Sequence, residues 1–94
     1  MFFTNIFLVI PFSFNILINS DLGTDESIIV KIKEILTGES TVKYEIQGVY
    51  GVYDIVVKVS SDDSPKLRSI VTTQIRKIEN VKSNLTMMVI EEQE

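Results

Sequence analysis

The stretch VKYEIQGVYGVYDIVVKV, Val42 to Val59, reads as two short strands folded back on one another. Val42, Tyr44 and Ile46 alternate with Lys43, Glu45 and Gln47, the period of two that marks a half-buried strand. Gly48-Val49-Tyr50-Gly51 interrupts the alternation, and Tyr53, Ile55, Val57 and Val59 resume it. Two such runs joined by a short glycine-containing segment predict an antiparallel hairpin.

The chain on either side repeats one pattern. Upstream, Ile28, Ile29, Ile32, Ile35 and Leu36 recur at helical spacing. Thr24 is placed to cap that helix, Asp25 and Glu26 sit where the helix dipole favours anions, and Gly38 supplies the stop. The spacing predicts a helix over 25–37. Before it, Ser20-Asp21-Leu22-Gly23 forms a turn, and Phe14, Ile16 and Ile18 alternate with Asn15, Leu17 and Asn19 as a strand. Downstream, Ser60 to Ser64 is a polar loop. Ser64 as cap and Pro65 at the first helical position then open a second helix. Leu67, Ile70, Val71, Gln74, Ile75 and Ile78 share one face of it, and it ends near Asn80. Val81 to Ile90 is the last strand, followed by an acidic tail.

The element order is therefore β–α–β–β–α–β, and Val42-Lys43 falls opposite Val81-Lys82 at an offset of 39 residues. This order predicts an α+β fold, a ferredoxin-like βαββαβ sandwich of the dimeric α/β-barrel type. Both helices would lie on one face of a four-stranded antiparallel sheet. The 94 residues make one domain, with residues 1–13 as a hydrophobic extension and residues 14–94 as the folded unit. Three readings of the uncharged first stretch stay open: an extension without a core role, an extra strand or interface segment, and a membrane signal.

A sheet face left bare by the helices should read polar, yet it carries Leu17 and Val56, and the last strand is apolar on both sides. Interface residues are therefore expected at Leu17, Val56, Met88 and Ile90. Leaving four such side chains in water would forgo several kcal/mol, at about 25 cal/mol per Å2. A contiguous patch of this kind marks a contact surface. A second copy is the expected cover, with residues 1–12 folding back as the alternative.

Composition narrows the chemistry. A net charge of −4 repels phosphate backbones, so no direct nucleic-acid contact is expected. With neither histidine nor cysteine, thiolate or imidazole metal sites and Cys- or His-based nucleophiles are excluded, and no catalytic residue, metal or cofactor is assigned. The lack of cysteine fits a reducing compartment, and a cytoplasmic protein without a membrane partner is expected.

Tyr50-Gly51-Val52-Tyr53-Asp54-Ile55-Val56-Val57-Lys58-Val59 resembles the Gly-x-x-Asp-then-strand motif of the Lrp/AsnC (feast/famine) ligand-binding domain, the RAM domain. Val81 to Ile90, with Thr86 before a hydrophobic run, is similar to that domain's last strand. The likeness spans about residues 14–92. It implies a homo-oligomer that pairs sheet on sheet and assembles into octamer or decamer rings. It also implies an amino acid or similar small effector held between subunits. Full-length Lrp/AsnC regulators carry a helix-turn-helix domain ahead of this one. Residues 1–13 are too short for that, so the stand-alone form is expected, with full-length relatives as candidate partners. The effector-site positions carried over are Gly51, Asp54, Ser83, Leu85 and Thr86.

Independent chemistry agrees with those residue types. Gly51 permits close backbone approach, Asp54 can accept from an ammonium, and Ser83 or Thr86 can donate to a carboxylate. Simpler roles also account for them: Gly51 as a turn residue, Asp54 bonding its own turn, and Ser83 and Thr86 as ordinary strand residues. The expected function is non-catalytic effector sensing and oligomerisation, modulating transcription or metabolism. A small dimeric α+β barrel enzyme is the competing reading. An RNA-binding sheet would need stacked aromatics where this face is aliphatic.

Overall fold

The computed structural model describes residues 12–89. It builds β1 (Phe12–Ser20), α1 (Asp25–Thr37), β2 (Lys43–Gly48), β3 (Ile55–Ser61), α2 (Ser64–Ser69, continued by a π-helical turn over Ile70–Ile75) and β4 (Val81–Val89). The strands form one sheet in the order β2-β3-β1-β4, and all three neighbouring pairs are antiparallel. This is the ferredoxin-like βαββαβ fold. β1 opens at Phe12, so Phe12 and Ser13, which the sequence placed in the extension, are strand residues. Ile90 lies outside the described residues. Among the described residues no helix is long and apolar enough to cross a membrane.

The strand alternation does what the sequence predicts. Phe14, Ile16 and Ile18 of β1 face the same side as Val59, Val57 and Ile55 of β3, and all six are buried. Against them pack Ile28, Ile32 and Leu36 from α1, and Leu67, Ile70, Val71 and Ile75 from α2 and its continuation. These are the residues of the two predicted helical stripes.

Helix ends depart from expectation. Thr24 is at the N-cap position of α1, but its hydroxyl donates to the Asp21 carbonyl at 2.7 Å and caps nothing. Gly38 ends α1 with right-handed backbone, φ −72°, while the Glu39 N–H closes onto the Leu36 carbonyl at 3.1 Å. Asp63 replaces Ser64 as the cap of α2, because its carboxylate accepts from the Lys66 N–H at 3.0 Å and Ser64 has already entered the helix. The Lys66 ammonium donates to Glu39 at 2.9 Å, joining the α1–β2 loop to α2, and the hydrogen bond and charge of Glu39 raise its pKa.

The π-helical turn corrects a further detail. Gln74, predicted on the buried face, is exposed, whereas Ile75 is buried and Ile78 half-buried. A π turn carries more residues per revolution than an α turn, so Gln74 falls further off the packed face while Ile75 stays on it.

Residues opposite one another share a face, so the pairings also identify the side the helices leave bare. Gln47, Val56, Leu17 and Leu85 form one row across all four strands, and Met87 and Val89 continue the apolar surface along β4. Leu85, Met87 and Val89 remain 41–46% exposed. Met88 is a correction. It lies opposite the buried Phe14, on the helix side, not with Leu17 and Val56. Lys43, Glu45 and Lys58 occupy the β2–β3 half of the bare face, so its apolar part is displaced towards β1 and β4.

Ile16, fully buried at the centre of the sheet, tests this packing. Ile16→Ala should lower the unfolding free energy by about 2–5 kcal/mol in urea denaturation, while Met88→Ala should cost far less.

Candidate functional site

The β2–β3 connection leaves the sheet at Gly48 and returns at Ile55. Its backbone is held twice at Asp54: the Val49 N–H donates to the Asp54 carbonyl at 2.8 Å, and the Asp54 N–H to the Ile18 carbonyl at 2.9 Å. Between these bonds Gly51 adopts φ +137°, a conformation L side chains rarely take, with open space where a Cβ would lie. Tyr50 and Val52 beside it are fully or largely exposed.

The Asp54 carboxylate does not turn onto its own loop. Its Oδ2 accepts from the Ser20 N–H at 2.9 Å, and the Ser20 hydroxyl stands 3.4 Å away. That hydroxyl also donates to Oδ1 of Asp25 in the first turn of α1. Ser20 therefore joins the end of β1 to the hairpin and to α1. Another contact closes the same end of the fold, where the Asp21 N–H donates to the carbonyl of Asn80 at 2.9 Å. Asn80 there takes φ +75°, a left-handed conformation asparagine tolerates.

These groups border an open cleft of about 550 Å3 whose walls include Ser20, Asp21, Asp25, Glu26, Asp54 and Lys82. Four carboxylates face one ammonium, so the cleft is strongly electronegative. No cluster of three metal-ligating side chains occurs among the described residues.

The five predicted effector residues divide between two regions. Gly51 and Asp54 share the hairpin connection at the sheet end. Ser83 is on the bare face at that same end, opposite Asn19, whose Nδ2 donates to its hydroxyl at 3.3 Å. Leu85 is also on the bare face, opposite Leu17. Thr86 is opposite Ile16 on the helix side, so it does not share a face with Ser83 and Leu85. Ser20, Asp25 and Lys82 are neighbours of the site that sequence reasoning missed. Ser20 read as a turn residue and Asp25 as a partner of the helix dipole, and no local signal ties either to a residue in the distant hairpin.

A dimeric α+β barrel enzyme would need a cavity with titratable groups between sheet and helices. That layer is filled by apolar side chains, and Ser61 is the sole buried polar residue among those described.

No family model matches the chain, and no curated protein matches it either. Solved structures do. FFRP-DM1 is 30% identical, with a TM-score of 0.69 over 84% of this chain and 99% of that one. The hypothetical protein PHS023 from Pyrococcus horikoshii is 31% identical, with a TM-score of 0.67 over 86% and 92%. Two regulators share the fold at lower identity. E. coli AsnC is 22% identical with a TM-score of 0.68 over 86% of this chain, and the L-Met complex of the transcriptional regulator NMB0573 from Neisseria meningitidis is 12% identical with a TM-score of 0.64 over 88%. The chain spans about half the length of each, 52%. The four-stranded sheet carrying its helices on one side matches the RAM fold of these neighbours. This chain belongs to the Lrp/AsnC (feast/famine) family.

The Asp54 contacts carry a prediction of their own. Asp54→Ala strips the acceptor from the part-buried Ser20 N–H and should destabilise the fold by roughly 1–3 kcal/mol. Asp54→Asn, which keeps an acceptor oxygen, should cost clearly less when both are compared by urea denaturation.

Proposed function

We propose that this chain is a non-catalytic domain that senses an amino acid or similar small effector and oligomerises through its bare sheet face. It would modulate transcription or metabolism by assembling with itself or with full-length Lrp/AsnC regulators in the cytoplasm. The observation that carries the reading is the fixed Asp54 carboxylate. Ser20 donates to one oxygen, none of the described residues donates to the other, and Asp54 lines an electronegative cleft suited to an ammonium group. The L-Met complex of a regulator with this fold supports an amino acid as the ligand class.

The division of the predicted residues suits a shared site. Asp54 from one copy holds the ammonium end, with Gly51 allowing close approach beside it, and Ser83 and Leu85, on the bare face, approach from another. The same face supplies the driving force for pairing. Leu17, Val56, Leu85, Met87 and Val89 form a continuous apolar strip, and its burial at about 25 cal/mol per Å2 favours association.

Two measurements test this reading. Thermal unfolding across the twenty amino acids should show stabilisation by at least one, worth about 2.7 kcal/mol at a hundredfold excess over Kd, and Asp54→Ala should remove it. Stabilisation by none would leave only an assembly role. In light scattering, Val56→Glu combined with Leu85→Glu should yield monomers, whereas Met88→Glu should leave the assembly intact. An oligomer unchanged by the first pair would refute the interface.

A further inference from the structure

We infer that Ser20 is the positioning residue of the effector site, and that its hydroxyl couples the state of Asp54 to the first turn of α1. This rests on the reading of Asp54 as the effector's ammonium partner. The backbone around Asp54 has little freedom, since the Val49–Asp54 and Asp54–Ile18 bonds hold it on both sides at 2.8 and 2.9 Å. What remains to be set is the direction of the side chain. Ser20 sets it twice, through its N–H at 2.9 Å and its hydroxyl at 3.4 Å, both onto Oδ2. Oδ1 is thereby left for an incoming cation, with no donor to it among the described residues.

The hydroxyl has one proton and two carboxylates within reach, Asp25 and Asp54. The shorter contact is to Asp25 and the longer, at 3.4 Å, is to Oδ2 of Asp54, so the two carboxylates share the one proton. An ammonium bound to Asp54 satisfies that carboxylate and leaves the Ser20 proton wholly to Asp25. Without it, the two carboxylates compete for one donor. Asp25 begins a 13-residue helix whose Ile28 and Ile32 are fully buried against the sheet, so a change in its first turn is passed to the packed layer. Ligand occupancy at the hairpin would thus reach the helix through a single side chain, without movement of the hairpin backbone.

The ligand-free protein tests the coupling. Asp54→Asn, nearly isosteric, should displace the amide resonances of Asp25 to Ile28 in a 1H–15N spectrum. In a Ser20→Ala background the same substitution should leave them almost unmoved, and Ser20→Thr, which restores a hydroxyl, should bring the displacement back. Equal displacement with and without the hydroxyl would overturn the coupling. Calorimetric titration with the twenty amino acids tests positioning. For any that binds, Ser20→Ala should weaken binding about tenfold and Ser20→Thr much less, the loss expected for one hydrogen bond to a charged group. Undiminished binding to Ser20→Ala would overturn the positioning role. Coupling without binding by any amino acid would retain the relay and remove the effector reading instead.

Discussion

A β-strand sends successive side chains to opposite faces, and two helices can cover only one face of a four-stranded sheet. Much of this molecule follows from that geometry. On the covered side, Phe14, Ile16, Ile18, Ile55, Val57 and Val59 meet the stripes of both helices in a continuous apolar layer. On the other side, the row Val56–Leu17–Leu85 and the extension along Met87 and Val89 have no counterpart among the described residues. The charged residues of the bare face, Lys43, Glu45 and Lys58, gather on β2 and β3, so its apolar area follows β1 and β4. Solvent-exposed aliphatics in a strip, and not singly, are the physical mark of a contact surface.

The sheet end concentrates polar contacts in the same way that its centre concentrates apolar ones. β1 finishes, α1 begins, the hairpin returns and β4 starts within one small region, and their backbones are tied there by Asp54–Ile18 and Asp21–Asn80 hydrogen bonds. Ser20 lies where three of these elements meet. Because the surrounding backbone is fixed, side-chain hydrogen bonds decide how the cleft presents its charge. That is the arrangement a ligand site requires: rigid support with a few directed polar groups. Gly51 contributes differently, by allowing the connection to pass through positive φ without the strain a Cβ would bring.

Membership of the Lrp/AsnC family at about 30% identity is consistent with how such a fold is encoded. A core of this type asks for aliphatic volume at alternating and helical positions, and many sequences satisfy it. The more specific content lies in the Gly-x-x-Asp connection and the residues around it. Fold alone does not assign a function, so any functional distinction rests on those details and not on the sandwich.

Strand and helix positions were legible in the amino-acid sequence because they rest on local periodicity. Alternation at residues 14–19, 42–47 and 55–59, and helical spacing at 28–36, need no knowledge of distant partners. The bare apolar face was legible too, from Leu17 and Val56. Three things were decided only by tertiary structure. The face taken by Met88 depends on register, because Met87 and Met88 are both apolar and only pairing with Phe14 assigns one to the helix side. The π-helical turn depends on fitting the Ile70–Ile75 stripe to the sheet beneath it. The bond between Ser20 and Asp54 spans 34 residues, and a hydrogen bond across that separation leaves no periodic trace in the chain that makes it.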